Sequence, residues 1–376
     1  MKNSLLHSNR VAPAPLIVKK VDRWPRNGGR RNASPEPAET LLPRPERWPE
    51  LLGLDDLGAV EEILRRALLE PIYELNSAPG KRIRGQLVAL SFRLLNGDAE
   101  PSAFSSKRCR LAAAALEFIH AGSLIVDDIE DGSAVRRGRP ALHLRYPMPI
   151  ALNAGNWLYF WPFDLFREMA LPRGQLLAVH ESCHRTLLRA HFGQAVDLGA
   201  KINKLAQTDV ADVCLASMRL KTGALIGFAA FLGGVIAAAS NRLLPMLDDF
   251  GRDLGVALQM FDDLGNAIGK REPSKRYEDL VLARPSWVWA CAAQNSTPTE
   301  YAEFLAAVRR LPDATNLEAW LTHRGIVEQT RNSARNYLDG SFDALARRLS
   351  ASGARWSRRA WDDLRALGEE IAVAYE

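Results

Sequence analysis

Two clusters of aspartate, about 130 residues apart, each close a long apolar run with helical spacing: Asp127-Asp128-Ile129-Glu130-Asp131 and Asp262-Asp263-Leu264-Gly265-Asn266. Residues four apart share one face of a helix, so Asp127 projects beside Asp131 and Asp262 beside Asn266. Carboxylates on the wall of an apolar cavity are costly unless a cation neutralises them. A hard divalent ion that keeps several waters and bridges to phosphate oxygens meets that need. The pattern points to a helical bundle that holds Mg²⁺ between two acidic walls, with a diphosphate between them.

Charge is unevenly spread along the 376 residues. The net +5 arises in residues 1–50, which hold ten Lys/Arg against five Asp/Glu; the remainder balances at 39 against 39. The basic balance therefore describes one end of the chain, and nucleic-acid binding is not read from it. Residues 1–46 are rich in Pro and Arg, lack periodicity and read as a disordered tail; residues 47–376 read as one all-α domain. The four cysteines, Cys109, Cys183, Cys214 and Cys291, are far apart and suit buried thiols in a reducing compartment. No continuous apolar signal segment opens the chain, and the expected location is cytoplasmic. The uncharged run 222–240 could mimic a membrane span but reads as a core helix, so no transmembrane segment is expected.

Helical spacing recurs over 59–75, 81–95, 111–131, 152–169, 175–198, 210–220, 222–240 and 245–268. A basic loop over 132–140 follows the first acidic cluster, and a charged loop over 269–284 follows the second. No period-two stretch is long enough for a sheet.

Further polar groups interrupt these apolar helices in a fixed order. They are Gly80-Lys81-Arg82-Ile83-Arg84, His120, Asp127-Asp128-x-x-Asp131, Arg136-Arg137-Gly138, Gly193-Gln194-x-x-Asp197, Lys221-Thr222-Gly223 and Gln259-x-x-Asp262-Asp263. An acidic helix end beside guanidinium groups suits a metal–phosphate ensemble. On these motifs, over residues 79–285, the chain resembles the trans-isoprenyl diphosphate synthases, the polyprenyl synthetase family.

The resemblance implies the all-α isoprenoid synthase bundle around a central cavity, usually a homodimer. It implies a Mg²⁺-dependent prenyltransferase, with about three ions expected. Asp127, Asp128 and Asp131 resemble the family's first metal-binding motif, and Asp262, Asp263 and Asn266 its second. Arg136, Lys221, Thr222 and Gln259 resemble groups around the allylic diphosphate. Lys81, Arg84, His120 and Arg137 resemble the isopentenyl diphosphate pocket, and Lys275 the nearest counterpart of a further phosphate-binding lysine. Asp127, Asp128, Lys221 and Asp262 are the residues expected to carry the chemistry.

The sequence departs from the family pattern at Asn266, where Asp is usual, at Gly85, where Pro is usual, at Asn156, where Asp is usual, and at Arg284, where Lys is common. These departures leave two other readings open: a terpene synthase-like cyclase acting on one prenyl diphosphate, and a non-catalytic partner subunit. Retention of Lys81, Arg84, His120 and Arg137 favours elongation over cyclisation. In the family the chain resembles, bulky residues four and five positions before the first motif stop the growing chain; Ser123 and Gly122 stand there and are small, so the resemblance implies a product longer than fifteen carbons. Geranylgeranyl diphosphate is the expected product, with Ile119 and Leu116 as a deeper floor.

Overall fold

The computed structural model describes residues 41–76, 83–97, 101–269 and 276–375. The chain divides into Met1–Glu36 and Pro37–Glu376, and all that follows concerns the second unit. Lys81, Lys275 and the tail over 1–40 lie outside the described residues. Residues 41–46, read from sequence as tail, pack on the body: Leu42 is 4% exposed, and the Trp161 indole donates to the Leu41 carbonyl at 3.0 Å.

Short helices come first: α1 (Trp48–Leu52), α2 (Ala59–Leu64) and α3 (Glu70–Asn76), the last two joined by a π-helical turn over Arg65–Leu69. The bundle proper is built from α4 (Ile83–Asn96), α5 (Ala103–Glu130), α7 (Met148–Glu168), α8 (Arg173–Gly199), α9 (Val210–Met218), α10 (Ala224–Ile236) and α11 (Leu243–Ile268). The four-residue α6 (Leu142–Arg145) leads into α7, and the equally short α12 (Glu278–Val281) follows α11. Helices α13 (Trp287–Gln294), α14 (Pro298–Val308), α15 (Thr315–His323), α16 (Ile326–Ser352) and α17 (Arg358–Val373) complete the described chain.

Helix α10 occupies the centre, and every one of its residues is buried. It packs against α4, α5, α8 and α11. Small residues allow the approach: a Cβ on Gly233 would stand 2.4 Å from the Val88 carbonyl oxygen of α4, and one on Gly251 2.6 Å from that of Ile226. Two stretches, Ala103–Glu130 and Gln207–Ile236, are long and apolar enough to cross a bilayer. Both serve as core helices of this bundle.

The basic loop predicted over 132–140 contains a hairpin, β1 (Val135–Arg136) against β2 (Arg139–Pro140), with Arg136 opposite Arg139. Its two-residue turn, Arg137-Gly138, has φ of 52° and 73°. Paired positive φ values match the twist of a tight hairpin, and Arg137 carries the strain of adopting one with a side chain. Gly85 has a packing reason to lack a side chain: a Cβ there would stand 3.1 Å from that of Ala113 on α5.

Candidate active site

One cavity of about 810 Å³ opens between the C-terminal ends of α5 and α11. Both acidic clusters line it, through Asp127 and Asp131 on one side and Asp262, Asp263 and Asn266 on the other. Helix α5 is fixed at its start by Ser102, whose hydroxyl accepts from the Ser105 N–H at 3.0 Å, and it delivers its carboxylates 25 residues later.

The carboxylates of the first cluster have different partners. Asp127 Oδ1 accepts from Gln194 Nε2 at 2.7 Å and from Lys221 Nζ at 3.1 Å. Asp131 accepts from Arg284, and burial together with repulsion from Asp127 raises its pKa. Asp128, by contrast, is 2% exposed and holds the Arg136 guanidinium, with Nε at 2.8 Å. Asp128 thus anchors the hairpin, and the cavity is lined instead by Asp127, Glu130 and Asp131.

A ladder of opposite charges continues across the cavity. Asp197 Oδ2 accepts from Lys221 Nζ at 3.0 Å and from Arg284 Nη1 at 2.9 Å. Burial disfavours the Lys221 ammonium, but Asp127 and Asp197 outweigh it and raise its pKa. Lys221 and Thr222 reach the cavity because the chain between α9 and α10 is a π-helical turn over Arg219–Gly223. The extra residue per turn rotates these side chains inward without breaking the helix. The helix break expected between Leu220 and Thr222 is this turn. Gly193 makes room for it: a Cβ there would stand 2.5 Å from the Lys221 nitrogen.

The second cluster shows the same division. Asp263 is 4% exposed, and both its oxygens are engaged, Oδ1 by Gln259 Nε2 at 2.8 Å and Oδ2 by the Trp287 N–H at 2.7 Å. Gln259 in turn accepts from the Thr222 hydroxyl at 2.8 Å, which ties α11 to the π turn. Burial, then repulsion from Asp262 and Asp197, pushes Asp279 up to about 7. The surplus of negative charge between the walls suits a divalent cation. Among the described residues, no three carboxylate, imidazole or thiol side chains gather closely enough to enclose one. The donors that fit are therefore separated oxygens, Asp127 and Asp131 facing Asp262 and Asn266, with water and phosphate completing the shell.

A cationic pocket lines the cavity beside the first cluster, formed by Arg84, His120 and Arg137 with Glu117. Burial, then Arg84, Arg137 and Arg136, holds the His120 pKa well below its ordinary 6.5, so the imidazole is neutral. Burial also lowers the pKa of Arg84. Its Nε and the Glu117 Oε1 are buried without a hydrogen-bond partner among the described residues. An unpaired buried guanidinium donor is expensive unless an anion completes it.

Of the residues expected from sequence, Arg84, His120, Asp127, Asp131, Arg136, Arg137, Lys221, Thr222, Gln259, Asp262, Asp263 and Asn266 all line the one cavity. Gln194, Asp197, Arg284 and Asp279 join them. The first three stood in the sequence as motif or variant residues without an assigned role, and Asp279 precedes Leu280 in the charged loop. The product-length reading needs correction at one position: Gly122 faces α7, where a Cβ would stand 2.7 Å from the Gly155 carbonyl oxygen. Leu116, read as part of a deeper floor, is fully buried in the core. Ser123 and Ile119 do line the cavity.

The polyprenyl synthetase family pattern matches residues 65–321. The chain is 30% identical over 279 residues to the geranylfarnesyl diphosphate synthase of Aeropyrum pernix, covering 73% of this chain and 85% of that protein. It is 31% identical over 212 residues to the geranylgeranyl diphosphate synthase of Sulfolobus acidocaldarius, covering 55% of this chain and 61% of that protein. Its fold matches, with a TM-score of 0.64 and 25% identity, the crystal structure of a polyprenyl synthase from Caulobacter crescentus CB15 complexed with calcium and isoprenyl diphosphate; 88% of this chain and 98% of that one are covered. The chain belongs to the polyprenyl synthetase family and is a prenyltransferase.

Proposed function

We propose that the chain condenses isopentenyl diphosphate with an allylic diphosphate to give a short-chain trans-prenyl diphosphate, geranylgeranyl diphosphate being the product that fits best. The observation that carries this reading is Arg84 Nε, buried without a partner among the described residues, beside neutral His120 in the same cavity as the two acidic walls. A cyclase needs one diphosphate site; this cavity offers donors for two.

Lys221 and Arg136 bind the allylic diphosphate near Asp127 and Asp131. About three Mg²⁺ ions, held through Asp127, Asp131, Asp262 and Asn266, would add positive charge where the leaving oxygens become negative. Leu124, Leu187, Met218, Leu225 and Leu258 line the cavity and exclude water from the allylic cation. Arg84 and Arg137 hold the second diphosphate, and neutral His120 donates one N–H to it. Its double bond then attacks the allylic carbon, and a proton leaves to restore the alkene. Ser123 donates to the His120 carbonyl at 2.8 Å, which satisfies its hydroxyl and leaves a small wall for the growing tail.

A homodimer is the proposed assembly. Met148, Leu152 and Phe160 on α7 and Leu188 and Phe192 on α8 recur at helical spacing and are exposed, Phe160 at 69% and Phe192 at 65%. A second copy would cover this face; the cytoplasm is the proposed location. Arg84→Ala tests the elongation reading. It should raise the KM for isopentenyl diphosphate by about tenfold or more and leave that for the allylic substrate nearly unchanged. Equal effects on both substrates would contradict the assignment of two sites.

A further inference from the structure

Helix α17 packs on α4, which carries Arg84, and on α11, which carries the second acidic cluster. Tyr375 stands two residues beyond its end, is 5% exposed and lines the cavity. Its seat is Gly265, which lies between the carboxylates Asp262 and Asp263 and the amide Asn266. A Cβ on Gly265 would stand 3.0 Å from Tyr375 Cδ1 and 3.8 Å from its Cβ. The ring therefore lies on bare backbone, closer than any other residue type at 265 would permit without a shift. The same phenol lies within electrostatic range of Arg84, and both side chains line the cavity.

We infer that Tyr375 is a positioning residue that walls the isopentenyl end of the cavity, spanning from the Arg84 pocket to the second acidic helix with Gly265 as its seat. The inference rests on the elongation reading. The ring keeps the guanidinium of Arg84 aimed inward and occupies a path by which water would reach the allylic carbon. Without it, water adds to that carbon in place of the isopentenyl double bond. The diphosphate leaves with its electron pair, the water proton passes to solvent, and an allylic alcohol forms.

The test compares the full-length protein with Tyr375→Ala, Tyr375→Phe, Gly265→Ala and the Tyr375→Ala/Gly265→Ala double variant, all with Mg²⁺ and both substrates. Tyr375→Ala should raise the KM for isopentenyl diphosphate about tenfold, with the allylic KM within about twofold, and increase the alcohol fraction severalfold. Tyr375→Phe keeps the ring on Gly265 and should stay closer to the parent than to Tyr375→Ala in both readouts. Gly265→Ala should act in the same direction by displacing the ring, and should add nothing in the Tyr375→Ala background. Parent-like KM and alcohol yield in Tyr375→Ala would overturn the inference, as would additive effects in the double variant. Elongation by the parent with a silent Tyr375→Ala refutes this inference alone; no elongation by the parent refutes the reading on which it rests.

Discussion

The Lys221 ammonium lies 3.1 Å from the Asp127 carboxylate, and its position is set by a π turn that only glycine at 193 can accommodate. This contact joins the first acidic cluster to α8 and α10, and through Asp197 to Arg284. Lys221→Ala should lower kcat by about 10²–10³, because a charge aimed at the leaving diphosphate matters most as that group departs. Steady-state kinetics with a folded variant checks this, and a loss confined to KM would contradict it.

Gly193→Ala should reproduce part of that loss from a distance. Its added methyl would stand 2.5 Å from the Lys221 nitrogen, so the π turn must move. Overpacking of this kind costs about 1–3 kcal/mol. Thermal unfolding should show a lower Tm, and kinetics a reduced kcat. An unchanged Tm and kcat would mean that the helices do not approach as described.

How far the site was legible in the sequence depends on whether an interaction is local. The shared face of Asp127 and Asp131 follows from helical spacing, as does that of Asp262 and Asn266. The inward turn of Asp128 toward Arg136 requires a hairpin that folds back on its own helix, and no period announces a six-residue hairpin. Gly122 was misread for a related reason: a small residue beside an acidic motif suits a tunnel and a helix crossing equally, and only Gly155 on α7 decides between them. Likewise, the polar interruption at Lys221 suggested two helices, whereas the chain absorbs it as a π turn.

Stability should depend on His120 at mildly acid pH. Its folded pKa lies well below 6.5, so below that value the unfolded chain binds the proton and the folded chain does not. The unfolded state is then favoured, and stability falls as pH drops from about 6.5 toward 5. His120→Gln removes the titrating group and should flatten that part of the Tm–pH profile. Parallel profiles for parent and variant would contradict burial of a neutral imidazole.

The tail channel should respond at Ser123. A phenyl ring there projects into the cavity beside Ile119, and a packed wall has little slack to yield. Ser123→Phe should shorten the main product toward farnesyl diphosphate while consumption of the shorter primers persists. An unchanged length distribution would show that the tail does not pass this wall.

The most direct test of elongation in this cavity is product analysis by mass spectrometry. The purified protein is incubated with Mg²⁺, isopentenyl diphosphate and dimethylallyl, geranyl or farnesyl diphosphate in turn. Elongated prenyl diphosphates that require both substrates, and that vanish on chelation of the metal, are the predicted result. A hydrocarbon or alcohol formed at full rate without isopentenyl diphosphate would contradict the account.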